Sequence, residues 1–200
     1  MMPNRHPAGI SLLLALLLAG CQGLPAPEAS PEQKLQLGLG MALNPRSLPQ
    51  AEQVLRRAGQ DFAARQDLSG QAQVAFALGE LYKSKPWQAL QKPPATVAFY
   101  QQAAQQYQQA ARLYGQLQRP ALQGAAQVGA ANAWLLADDV GQACPAYQQA
   151  QTTLRDPATQ RDTAGYAQLQ RGVAFFADLG TVCQIQQQLS QLAVLPVPRP

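Results

Sequence analysis

In AEQVLRRAGQDFAARQ, residues 51–66, the apolar positions Ala51, Val54, Leu55, Ala58 and Phe62 recur at i, i+3, i+4, i+7 and i+11. That spacing is one face of a helix. QAQVAFALGELYKS, residues 71–84, does the same with Val74, Leu78, Leu81 and Tyr82. No stretch of five or more residues alternates cleanly between apolar and polar, and β-branched residues are sparse, so strands are not expected. Breaks separate the periodic segments: NPRSLP at 44–49, DLSG at 67–70, KPP at 92–94, RP at 119–120, DDVG at 138–141, DP at 156–157 and DLG at 178–180. Asp and Ser in these breaks are natural N-caps, and Pro cannot continue a helix. The pattern predicts an all-α fold of about eight helices, each of 11–22 residues, with short connections.

Composition removes the main objection, that a glutamine-rich chain is disordered. Disordered segments have few apolar residues and high net charge. Here 47% of the residues are apolar and the net charge is +4 over 200 residues, so a packed core is expected. Ala, Leu and Gln dominate, and all three favour helix.

Two glutamine-rich stretches are near-copies. QQYQQAARLY at 105–114 and AYQQAQTTL at 146–154 share YQQA, starting at Tyr107 and Tyr147, 40 residues apart. Each lies in a frame of small, large and small residues: Ala103–Tyr107–Ala110 and Ala143–Tyr147–Ala150. Ala51–Leu55–Ala58 fits the frame with less specificity, and Ile185–Leu189–Leu192 keeps only the spacing. Upstream of these frames, Gly79 precedes Tyr82, Ala131 precedes Trp134, and Gly172 or Val173 precedes Phe175 and Phe176. LLADDVGQAC at 135–144 also matches FFADLGTVC at 175–183 with one deletion.

Together these features resemble tetratricopeptide (TPR) repeats, antiparallel helix pairs of about 34 residues whose small and large positions are set by close packing. The resemblance implies a right-handed TPR-like α-solenoid of about four helix pairs over residues 32–193. An irregular helical bundle is the alternative. The chain departs from the repeat pattern at KSKPWQALQKPP, an insertion of about a dozen residues in the Gly79 unit. It departs again at Pro157, which falls about two positions late.

The N-terminus supplies an address. MMPNRHPAG is a short polar start, and ISLLLALLL is an apolar run of about ten residues. The run is too short to span a membrane but suits a secretory signal peptide. It ends in LLAGC, Leu17 to Cys21, which resembles the lipobox of bacterial lipoproteins. The resemblance implies a signal peptide over 1–20 and acylation of Cys21, the only cofactor-like group expected. Two or three acyl chains on one residue make a stable anchor. Gln22 stands where Asp resembles an inner-membrane retention signal, which implies the outer membrane, facing the periplasm. GLPAPEASPEQ then reads as a Pro/Ala tether, placed at 21–31, and the tail 194–200 reads as polyproline. In an oxidising compartment the remaining pair, Cys144 and Cys183, is a disulfide candidate, with two buried thiols as the alternative. If the repeats stack, these cysteines open the second helices of adjacent units, within reach of one another.

Chemistry is thin. Loss of the signal peptide removes His6, the single histidine, and with it Ser-His-Asp, Cys-His and His/Cys metal arrangements. Asp138–Asp139, Asp156 and Asp162 sit at turns, where capping is the expected role. LGLGMA at 37–42 lacks the strand and third glycine of a nucleotide fingerprint and reads as close helix packing. Lys and Arg are too dispersed for nucleic acid. No enzyme, metal or nucleic-acid partner is expected.

Two features suit binding to envelope proteins or peptides, and the first of them suits a glycan as well. One is the inserted segment with Lys83, Lys85, Trp87 and Lys92, in which Trp87 is either an exposed anchor or folds back as a lid. The other is a groove-facing set, Val128, Asn132 and Leu135, in which Asn132 matches a position that TPR proteins use to hold peptide backbone or carboxylate. The reading is a lipid-anchored scaffold or adaptor for a secretion, pilus or outer-membrane assembly machine. The rival is a regulatory or ligand-sensing lipoprotein controlling an envelope enzyme or sensor kinase. An open groove favours the first and an enclosed pocket the second.

Overall fold

The structure is a computed structural model that describes residues 29–90 and 96–192. The signal peptide, Cys21, nearly all of the tether, Lys92 and the Pro-rich tail lie outside the described residues. The fold is all-α: eight long helices, two short ones and one 3-10 turn among the described residues. In order these are α1 (Pro31–Ala42), a 3-10 turn (Pro45–Ser47), α2 (Leu48–Ala64), α3 (Leu68–Lys83), α4 (Lys85–Leu90), α5 (Thr96–Gln116), α6 (Pro120–Leu136), α7 (Val140–Arg155), α8 (Pro157–Arg161), α9 (Thr163–Phe175) and α10 (Ala177–Leu192).

The long helices from α1 to α7 pack mainly on their neighbours in sequence, and the last two pack back on α6 and α7. α1 lies on α2, α2 on α3, α3 on α5, α5 on α6 and α6 on α7. α9 packs on α6 and α7, and α10 on α7. α1 also touches α3, α3 touches α6 and α6 touches α9, so these four helices share one side of the array.

The small–large–small frame is the core. Ala51, Leu55 and Ala58, Ala103, Tyr107 and Ala110, and Ala143, Tyr147 and Ala150 are each at most 1% exposed. The fourth copy does not follow, because Ile185 on α10 is 51% exposed. An alanine-rich core buries little area per side chain, so the bulky residues must be met by very small ones. A Cβ on Gly70 would stand 2.2 Å from the Phe62 ring, and one on Gly124 would stand 2.6 Å from Leu169. Gly38 of LGLGMA likewise abuts Leu55, as close helix packing requires.

Three junctions share one turn. Gln66, Gln118 and Asp138 hold φ of 56°, 53° and 60°. The next amide returns to an aromatic residue's carbonyl in every case: Asp67 to Phe62, Arg119 to Tyr114 and Asp139 to Trp134, each at 2.9 Å. This is the Schellman closure with a non-glycine residue in the left-handed position. Asp67 and Asp139 then cap the following helices, accepting from the amides of Gly70 and Gln142 at 3.0 Å. Asp156 and Asp162 cap α8 and α9 in the same way.

Cys144 on α7 and Cys183 on α10 form a disulfide with Cα atoms 5.4 Å apart. Leu179 and Cys183 are the buried apolar residues described on α10, so the bridge is a main attachment of that helix.

Candidate functional site

The side shared by α1, α3, α6 and α9 is recessed in two adjoining places. The larger cleft, about 440 Å³, is walled by Leu35, Leu39 and Leu43 from α1 and its C-terminal turn, Phe76 and Leu81 from α3, and Tyr114 from α5. It is open at the α1 side, where Leu39 is 39% and Leu43 87% exposed. The smaller recess, about 130 Å³, runs on through Phe76, Glu80 and Lys83 to Val128, Asn132 and Phe176. Phe76 and Glu80 border both.

Phe76 is held edge-on against Tyr107, with centroids 5.3 Å apart and planes at 80°. Tyr107 donates its hydroxyl to Glu80 at 2.5 Å, and the Lys83 ammonium pairs with the same carboxylate oxygen at 3.1 Å. Burial, reinforced by the Glu80 charge, raises the Tyr107 pKa well above the ordinary tyrosine value. The phenol therefore stays protonated and keeps the carboxylate in place. Lys83 also lies 5.1 Å from the Tyr107 ring centroid, a cation–π distance. The recess thus combines apolar lining with one ion pair on its wall.

The sequence-expected residues divide. Val128 is buried and lines the recess, and Asn132 lines it half-buried. Leu135 is 37% exposed on the same helix but does not border either cleft. Lys83 joins the recess, Lys85 is exposed at the start of α4, and Lys92 is outside the described residues.

Trp87 corrects the anchor reading. It is 4% exposed, with its ring 5.6 Å from Tyr82 and 5.9 Å from Phe99. The inserted segment folds back as the short helix α4, and burying an indole against two rings outweighs presenting it to water. Tyr82 is locked in turn: its hydroxyl donates to Glu52 at 2.7 Å and accepts from Arg56 at 2.8 Å.

Leu39, Leu43, Phe76 and Glu80 were not singled out by sequence reasoning. Phe76 carries a signal nonetheless, as a large aromatic off the face set by Val74, Leu78, Leu81 and Tyr82. Among the described residues no group of three or more His, Cys, Asp or Glu is placed to hold a metal, and no helix is long and apolar enough to cross a membrane. No family model matches the chain, and no curated protein matches it in sequence.

Proposed function

We propose that this chain is a lipid-anchored scaffold or adaptor of the bacterial outer membrane. In this reading a TPR-like solenoid of about four helix pairs holds a protein partner of an envelope machine. The observation that carries the reading is the apolar cleft between α1 and α3, open at Leu39 and Leu43 and continuous with the recess at Glu80. Leucines left in water at the lip of a cleft invite an amphipathic helix, whose apolar side fills it while a basic residue meets Glu80. The buried Ala–Tyr–Ala frames support the repeat reading, and LLAGC supports lipidation at Cys21. An anchor would confine the domain near the membrane and raise its effective concentration for membrane-bound partners. The exposure of Leu43 speaks against the ligand-sensing alternative, which calls for an enclosed pocket.

The test places a photo-crosslinking residue at Leu43 or at Thr152, exposed on α7, in cells carrying the full chain. Crosslinks to one partner segment from position 43, absent from 152 and lost on Phe76→Asp, are the expected outcome. Equal crosslinking from both positions would remove the cleft from the proposal. Cys21→Ala is expected to leave an unprocessed or soluble form, and globomycin-insensitive processing of the wild type would exclude the lipoprotein reading.

A further inference from the structure

We infer that the other side of α3 and α6 carries a binding track for an acidic, hydroxyl-rich polysaccharide. Two clefts lie there, one of about 300 Å³ between α2, α3 and α5, the other of about 390 Å³ between α5, α6 and α7. They are built from matching positions. Arg56 and Gln60 on α2 stand where Gln108 and Arg112 stand on α5, and Gln71 on α3 stands where Gln123 stands on α6, all offset by 52 residues. Gln109 on α5 corresponds to Gln149 on α7 at an offset of 40. Because α5 contributes to both, the clefts adjoin along the array.

Each cleft holds one guanidinium and several side-chain amides, and no carboxylate lines either. Arg112 is exposed and makes no ion pair among the described residues. Arg56 is ion-paired with Glu52 at 2.9 Å and donates to the Tyr82 hydroxyl, so Arg112 is the cation of the track that no carboxylate among the described residues neutralises. The first cleft has Gly59, Ala75 and the buried Val74 and Leu78 beneath it, the second Ala111, Ala130 and Ala146.

Gln127, where the other cleft has Ala75, is a nearly buried amide on the wall of the second cleft. It is 8% exposed, and its Oε1 accepts from the Thr153 hydroxyl at 3.0 Å. Thr159, fully buried, bonds the Thr153 carbonyl in turn. That chain holds the amide by its oxygen, on the wall of the cleft.

The chemistry selects the ligand class. Amides donate to and accept from hydroxyls, and a guanidinium pairs two-pronged with a carboxylate. The small Ala and Gly positions beneath the amides leave room for the C–H face of a sugar ring. Two matching clefts in line favour a polymer over a single sugar.

The probe is fluorescein-labelled polygalacturonate oligomers, titrated with the full chain in detergent micelles and read by polarisation. Polyglutamate of matched charge serves as competitor. Binding is expected, with polyglutamate competing poorly. Arg56→Gln with Arg112→Gln is expected to weaken it about tenfold or more, and Gln123→Ala with Gln149→Ala about tenfold with no change in charge. Melting temperatures of the amide variant and of Arg112→Gln alone should match the wild type, whereas Arg56→Gln lowers it because Tyr82 and Glu52 lose a partner. Absence of binding, equal binding of polyglutamate, or an unaffected amide variant would each overturn the inference. None of these substitutions touches the α1–α3 cleft, so partner crosslinking from position 43 reports on the adaptor reading separately.

Discussion

The ring of Tyr107 on α5 lies so close to Gly129 on α6 that a Cβ there would come within 2.7 Å of its carbons. Gly79 on α3 meets the same ring at 3.0 Å. Tyr107 is therefore clamped between two helices, each of which gives up a side chain where the ring passes. The glutamines beside it in QQYQQAARLY lie outside this contact, and the tyrosine and alanines carry the packing.

Gly129→Ala is expected to destabilise by about 1–3 kcal/mol, the usual cost of overpacking a tight contact. Gly40→Ala is the control, since nothing lies within 4 Å of a Cβ there and the position is exposed on α1. It is expected to stabilise by up to about 1 kcal/mol through helix propensity alone. Chemical denaturation of the two variants gives opposite signs if the clamp is real, and a loss at both would mean that glycine matters for another reason.

Reduction of Cys144–Cys183 is expected to cost about 4 kcal/mol in the chain-entropy account, for a separation of 39 residues. Because Leu179 is the other buried apolar residue described on α10, the effect should be local first. Limited proteolysis under reducing conditions should cut within 177–192 before any other helix. Unchanged protection of α10 after reduction would show that the bridge adds little.

Alkaline pH should unfold the domain through its tyrosines. Burial, then the hydrogen bond to Glu52, pushes the Tyr82 pKa far above 10, and Tyr107 and Tyr114 are raised with burial as the leading cause. In the unfolded chain these phenols ionise near pH 10, so above that pH the unfolded state binds fewer protons than the folded one. Their contribution is complete below pH 10 and falls by about 1.4 kcal/mol per pH unit per tyrosine above it. Tyr82→Phe should flatten that fall while lowering stability at pH 7 by about 1 kcal/mol, because Glu52 and Arg56 lose a partner. Parallel melting curves at pH 8 to 11 check both signs.

Helical periodicity and the small–large–small frame were legible because both are local: Ala103, Tyr107 and Ala110 lie on one face of one helix. The disulfide was legible as a pairing, since Cys144 and Cys183 occupy matching places near the starts of α7 and α10. Trp87 was not decidable, because a lone aromatic in KPWQ has no periodicity, and its partners Tyr82 and Phe99 flank the insertion in sequence. The open cleft was missed because Leu39 and Phe76 come from helices that meet only through the tertiary fold. The one-residue deletion in FFADLGTVC has a structural counterpart. The α6–α7 junction uses Asp138 in the left-handed position, whereas α9 ends at Phe175 and α10 begins at Ala177 with no such residue. The break expected at 178–180 accordingly lies inside the first turn of α10.

The three shared turns yield a last prediction. Gln66, Gln118 and Asp138 occupy the left-handed region, which costs a residue with a Cβ about 1–2 kcal/mol and glycine essentially nothing. Glycine also loses more entropy on folding, which returns part of the gain. Gln118→Gly should therefore stabilise by a net amount of about 0.5–1 kcal/mol, and Gln66→Gly by a similar amount. Asp138→Gly should behave alike, because the capping carboxylate of α7 belongs to Asp139, not Asp138. Asp139→Ala, by contrast, should cost about 1 kcal/mol by leaving the Gln142 amide without its cap. If the glycine variants melt at or below the wild-type temperature, the turns are not strained, and the side chains at these positions carry contacts of their own.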